Sequence, residues 1–285
     1  MKSSVKRHAS ALTAVLACLA LALVLYHSLA GGTLLQSSPY NSYALQAENW
    51  LAGRNNIENG ENYTWLELAI YQGRYYQSFP PVPAVLMLPF VAAAGEWSAI
   101  PGNLIAMGLA LLCAGGVYAC CMRGGMQPVT CAFFTLFVSM GSNVFWMSTS
   151  DGVWFLEQVC ALGFAFWGLF FAQGGNAVQD AAASLCMALA VGCRPFYALL
   201  LACWLGWQFY QRRSLKRILP ALLPAVVMAA CMMAYNFARF GSVTEFGHNY
   251  LPEFVRAENG QFSLTYLVPN LLQLLRPVTL DAQGQ

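Results

Sequence analysis

Residues 11–30 read ALTAVLACLALALVLYHSLA, twenty positions without a Lys, Arg, Asp or Glu, and their reading decides the fold. About 20 consecutive apolar residues is the length of a helix that crosses a bilayer. Lys2, Lys6 and Arg7 precede the run, and Ser28-Leu29-Ala30 closes it, a layout shared with cleavable signal peptides. Many more apolar runs follow, so an uncleaved first helix is the expectation. Further candidate spans lie at 82–99, the weakest because Pro83 and Pro89 interrupt it, at 102–122, 129–147 and 153–172, at 182–210, too long for one straight crossing, and at 218–238. Hydrophobic residues make up 58% of the 285 positions and charged residues 9%, against roughly 25% in soluble domains. So few charges cannot cover a soluble surface of this size.

Charge placement orients the spans. The two dense basic clusters are Lys2–Arg7 and Arg212–Arg217, and seven crossings put both on one side, as the positive-inside rule requires. The acidic segments 31–81 and 239–285 then share the outer side. The expected fold is therefore an all-α integral membrane protein, a single polytopic domain over 1–285. It has about seven transmembrane helices, a cytoplasmic N-terminus in the cell membrane and a large first extracytoplasmic loop. Within that loop, Tyr43, Ala44, Ala47, Trp50 and Leu51 recur at helical spacing, as do Trp65, Leu66, Ala69 and Ile70. Both sets read as short helices in the membrane interface. The same count puts Asp151 in a cytoplasmic loop, although the polar run Ser139–Asn143 is equally the mark of a short or re-entrant fourth helix. The apolar run 264–275, broken by Pro269, reads as interfacial.

The ten cysteines all lie in or beside apolar runs, so packed thiols are expected and not an outer disulfide framework. His8, His27 and His248 form no metal-ligand spacing, and no metal is expected. Arg194, followed by Pro195, would sit roughly 18 Å along a helix starting near 182. A guanidinium at that depth faces the bundle interior or a wet cavity; alternatively it satisfies the carbonyl that Pro195 frees at Val191.

Four stretches carry a family resemblance: ALQAENWLAGR (44–54), LELAIYQGRYYQSFPPVPAVLMLPF (66–90), VGCRPFYALLLA (191–202) and YNFARFGSVTEFGHNYLPEF (235–254). Together they resemble the GT-C superfamily of membrane glycosyltransferases, and more narrowly bacterial relatives of the dolichyl-phosphate-mannose-dependent protein mannosyltransferases. The resemblance implies transfer of a sugar from a polyprenyl-phosphate carrier on the extracytoplasmic face. The donor is a substrate and no cofactor is implied. The partners would be membrane lipids and a glycan, protein or lipid acceptor, and no nucleic acid. It also implies Glu48 as the catalytic base and Glu67 as a second carboxylate, both Glu where the family more often has Asp.

Arg74 beside Tyr75, Arg194 and Arg239 are the candidates for the lipid phosphate, with Glu245 and His248 in the same outer segment. A base and a set of cations match the chemistry, since an acceptor hydroxyl must lose a proton and a phosphate must be held as it leaves. Two other readings stand beside this one. A transporter would concentrate ionisable residues at the bilayer midplane. An inactive fragment is suggested by family members that continue with further helices.

Overall fold

The computed structural model describes residues 2–255, 259 and 263–276. Twelve helices and one hairpin follow in chain order. The first half contains α1 (Lys2–Leu29), α2 (Ser42–Leu51), β1 (Leu68–Tyr71), β2 (Arg74–Gln77), α3 (Val82–Ala94), α4 (Gly102–Arg123), α5 (Pro128–Met140) and α6 (Asn143–Met147). The second half contains α7 (Val153–Ala172), α8 (Ala177–Val191), α9 (Ala198–Arg212), α10 (Leu215–Phe240), α11 (Pro252–Val255) and α12 (Leu267–Leu274). Four of these, α1, α4, α7 and α10, have the length and apolarity to cross a membrane. Three of them, α1, α4 and α10, carry large exposed side chains such as Leu21, Leu25, Leu112, Val226 and Val227, a surface that suits lipid and not water.

Polar contacts sort the helix ends into two poles. At one, His8 meets Tyr118 at 3.1 Å, Gln173 donates to the Cys120 carbonyl, and Asp180 pairs with Arg212 at 2.5 Å. At the other, the Asn103 amide donates to the Thr33 carbonyl, the Val82 N–H donates to the Gly192 carbonyl, and Arg239 donates to the Gln77 carbonyl. The loop 31–81 packs over this second pole. Between the poles, α4 packs on α7 and α7 on α8; Gly163 lies against Cys113 and Gly168 against Met187, small residues that let the helix backbones approach.

Four expectations are corrected. The segment 182–210 is two helices and not one long span. Pro195 disfavours the helical region for the residue before it, and Arg194 is extended at φ −140°, ψ 116°, so α8 ends at Val191 and α9 begins after the turn. Arg194 therefore lies at the loop pole instead of deep in a helix. The segment 82–99 is a 13-residue helix followed by a turn, shorter than a full span. Helix α3 starts against Gly192, and Trp97, three residues beyond its end, donates its N–H to Glu48, so both ends stay at the loop pole.

The second amphipathic set is not a helix. Residues 68–77 form an antiparallel hairpin pairing Leu68 with Gln77 and Tyr71 with Arg74. Its two-residue turn has Gln72 at φ 49° and Gly73 at φ 72°, the left-handed pair that matches the twist of the flanking strands. The chain is thus mostly helical, with one hairpin. Asp151, lastly, lies at the loop pole, bonded to Ser37, Ser38 and Asn41, and not at the pole of the N-terminal cations.

The other cysteine and helix expectations stand differently. The ten cysteines are free thiols, with Cys113, Cys131, Cys160 and Cys193 buried. Helix α2 forms as its spacing predicts, with Asn41 capping it by accepting from the Ala44 N–H at 2.9 Å. It is more deeply buried than an interfacial helix would be: seven of its ten residues are inside. Of the C-terminal segment 239–285, residues 256–258, with Glu258, residues 260–262 and 277–285, and the side chain of Glu253 lie outside what is described.

Candidate functional site

Asp151 organises the loop pole. Its carboxylate is fully buried and accepts from Ser37 Oγ at 2.6 Å, the Ser38 N–H at 2.7 Å and Asn41 Nδ2 at 2.6 Å. Burial pushes this carboxyl above the usual carboxylate range, and the donated hydrogen bonds oppose the shift. Gly102, the first residue of α4, packs so closely against Asp151 Oδ2 that a Cβ there would clash. The start of the loop, α4 and α7 are thereby fastened at one point, and α2 is held over the end of α7.

That placement delivers Tyr43 to Glu157. The Tyr43 hydroxyl donates to Glu157 Oε2 at 2.9 Å, and burial with the neighbouring carboxylate holds its pKa well above the ordinary tyrosine value, so it stays a donor. Glu157 is fully buried, and its Oε1 pairs with Arg194 Nη2 at 2.5 Å. Gln158, with its amide oxygen turned to the guanidinium, accepts from Arg194 Nη2 at 2.8 Å and from Nε at 3.0 Å. One helical turn earlier, Trp154 Nε1 donates to Glu67 Oε2 at 3.2 Å, and Glu67 lies near enough for its charge to act on Glu157. Helix α7 thus meets the outer loop at Trp154, which holds Glu67, and one turn on meets Arg194 at Glu157.

Arg194 opens on a cavity of about 340 Å³ between the 192–197 turn, the end of α10 and the loop. Phe79, Phe196 and Met232 give it apolar walls, and its polar groups include Arg194, Arg239 and His248 beside Ser78 and Asn236. Arg239 is only 4% exposed. Its Nη1 donates to the Gln77 carbonyl at 2.6 Å and its Nη2 to Asn236 Oδ1 at 3.0 Å, and the guanidinium lies 3.9 Å from the Tyr235 ring centroid. No carboxylate pairs with it among the described residues, and its Nε is buried without a partner. A buried cation neutralised only by dipoles and aromatic faces is an acceptor for an anion. The walls suit an apolar chain attached to that anion.

The structure thus brings three of the eight residues singled out from the sequence, Arg194, Arg239 and His248, around one cavity, and connects Glu67 to it through α7. The other four lie elsewhere. Glu48 accepts the Trp97 N–H at 3.2 Å on the far side of α2 and does not line the cavity. Arg74 is exposed at the hairpin turn, and Tyr75 packs over Gly60. Glu245 accepts from the Gly247 N–H and from Asn249 Nδ2, both at 2.7 Å, and shapes its own turn.

Sequence reading assigned no role to Glu157, Asp151, Tyr43 or Gln158. The signal was present for the first two: a carboxylate beside an apolar run is expensive unless something holds it. What holds them comes from other elements, Ser37, Ser38 and Asn41 for Asp151 and Tyr43 and Arg194 for Glu157, which spacing does not reveal. Residues that gather metal ligands are absent among those described. No family model, no curated protein and no solved structure matches the chain.

Proposed function

We propose that the chain is a membrane-embedded glycosyltransferase that takes its sugar from a polyprenyl-phosphate carrier and passes it to an acceptor on the extracytoplasmic side. The observation that carries this reading is the buried Arg239, with no carboxylate partner among the described residues, in an apolar cavity beside Arg194 and His248. A lipid phosphate matches it at both ends, with a charged head for the guanidinium groups and an isoprenoid chain for the apolar walls. In the reaction, the acceptor hydroxyl loses its proton to a carboxylate and its oxygen bonds to the anomeric carbon. The bond from that carbon to the phosphate oxygen breaks, and the arginines hold the charge on the departing polyprenyl phosphate.

We assign the base to Glu67 in preference to Glu48. Glu67 is half-buried and linked through Trp154 to the helix that carries Glu157, whereas Glu48 holds the 97–99 turn. Glu157 and Tyr43 act through Arg194: they aim its guanidinium and share its protons, so they are positioning residues.

The test is release of labelled sugar from a polyprenyl-phosphate donor by the protein in membranes, with donor capture measured alongside. Arg239→Lys keeps a positive charge but loses the planar fork that reaches Gln77, Asn236 and the cavity at once. Donor capture should fall about tenfold, the value of one charge-assisted hydrogen bond, with the protein inserted as before. Undiminished capture by this variant removes Arg239 from the donor site.

The same reading places seven crossings in the bilayer: α1, α4, α5 with α6, α7, α8, α9 and α10. The span count equals the sequence expectation because two changes offset each other, the loss of 82–99 and the division of 182–210. Helices α8 and α9, at 15 residues each, rise about 22 Å and need a locally thinned bilayer or tilted neighbours. Reporters fused after Gln77, Arg194 and Asn249 should all read extracytoplasmic, and one after Lys216 cytoplasmic. A cytoplasmic reading after Arg194 rejects the division into two crossings.

A further inference from the structure

A second cavity, of about 380 Å³, opens in the outer loop on the other side of Glu67. Its walls include Tyr63, Trp65 and Tyr75, with Glu61, Thr64 and Glu67 as polar groups, and no Lys or Arg among the described residues lines it. The aromatic walls are fixed in place. Trp65 is 46% exposed, yet its Nε1 donates to the Pro39 carbonyl at 3.0 Å, which sets the plane of the ring. The Tyr63 ring sits edge-on between Trp65 and Trp97, with centroids 5.8 and 6.1 Å away. Tyr75 is held by the bridge from the Ile57 N–H to its carbonyl at 2.8 Å, and it lies so close over Gly60 that any Cβ there would meet its ring. These are rigid aromatic faces around a concavity of small-ligand size.

Charge narrows the ligand. Neither Glu61 nor Glu67 pairs with a cation among the described residues, while Glu58 nearby is paired with Arg54 at 3.0 Å. Aromatic faces and unpaired carboxylates together favour a cation. Thr64 and the two carboxylates offer hydrogen bonds to neighbouring hydroxyls, and flat rings pack against the C–H faces of a sugar. We propose that this pocket binds an amine-bearing saccharide, with the protonated amine at Glu61 and the sugar faces on Trp65 and Tyr63. The transferase reading enters only in the ligand's role: the saccharide would then be the acceptor, its hydroxyl presented to Glu67, which lines the pocket and accepts from Trp154 of α7.

Binding is measurable without turnover. The whole chain in phosphatidylcholine nanodiscs, which carry no net charge to attract amines, is titrated calorimetrically at a pH that keeps the amine protonated. The probes are the β-1,4-linked disaccharide of glucosamine, its N-acetylated counterpart and lysine methyl ester. The free-amine disaccharide should bind about tenfold more tightly than the acetylated one, the contribution of one hydrogen bond to a charged group. Glu61→Gln, at an exposed position where folding is undisturbed, should remove that preference, and Trp65→Ala should weaken both disaccharides.

Equal affinity for the two disaccharides, or a preference that survives Glu61→Gln, overturns the proposal. Lysine methyl ester binding as tightly as the free-amine disaccharide overturns the saccharide. Disaccharide binding by a protein that releases no sugar from any polyprenyl-phosphate donor supports the pocket and rejects the transferase.

Discussion

Glu67→Gln should lower turnover by about 10²-fold or more, the usual contribution of a positioned general base, and leave donor capture unchanged. Gln keeps the size of the side chain and an oxygen that accepts from Trp154 Nε1, now 3.2 Å from Glu67 Oε2, but it takes up no proton. The carboxylate acts on the acceptor, so the lipid phosphate at Arg194 and Arg239 feels the change only weakly. Glu48→Gln, predicted from the sequence resemblance to be the damaging change, should instead lower activity only slightly, because an amide oxygen still accepts from the Trp97 N–H. Glu58→Gln is the control, at an exposed carboxylate paired with Arg54. Labelled-sugar release with the three variants separates the roles. Full activity in Glu67→Gln with loss in Glu48→Gln returns the base to α2, and silence in both rejects a carboxylate base from this loop.

Arg194→Met should destabilise the fold by about 3 kcal/mol, the lower end for breaking a buried ion pair because Arg194 keeps 30% exposure. The penalty belongs to Glu157, which is fully buried and keeps only the Tyr43 hydroxyl when the guanidinium is gone. Adding Glu157→Gln to Arg194→Met removes the stranded charge and should restore most of the lost stability in thermal unfolding of the detergent-solubilised protein. It should not restore donor capture, which needs a cation at the cavity. Arg194→Lys divides the same two roles: a point charge satisfies Glu157 but not the bidentate geometry of a phosphate. Capture that recovers in the Arg194→Met, Glu157→Gln double variant would make Arg194 a structural residue only.

Much of the architecture was legible in composition and in run lengths. The apolar runs around 11–30, 102–122, 153–172 and 218–238 correspond to α1, α4, α7 and α10, because backbone groups in hydrocarbon must bond within their own segment and a helix is the way one segment does so. The helical spacing around Tyr43 was equally plain, and Asn41 marks its start. Runs broken by proline were not legible. Pro83 and Pro89 interrupt a run that looked long enough to cross, and Pro195 sits in one that looked too long. Pro195 divides its run by holding Arg194 extended, whereas the ties of Val82 to Gly192 and of Trp97 to Glu48 keep both ends of α3 at one pole. The hairpin at 68–77 was missed for a different reason. Its Gln72-Gly73 turn is a local signal, but four-residue strands hold too few alternating positions to outweigh a helical pattern.

The sequence by itself determined the material of this protein: apolar helices that suit a bilayer, basic clusters at one end, acids and aromatic rings concentrated in one long loop, and an inventory of arginines and carboxylates. Those follow from residue type and order alone, because hydrophobic length and charge are properties of a segment. Only the tertiary structure decided which of those charges meet. Asp151 fastens the loop to α4 and α7, α2 then carries Tyr43 to Glu157, and Arg194 turns to Glu157 at the edge of the cavity that Arg239 lines. A buried charge is stable only beside its partners, and here the partners come from helices far apart in the chain, so their meeting is a property of packing and not of spacing.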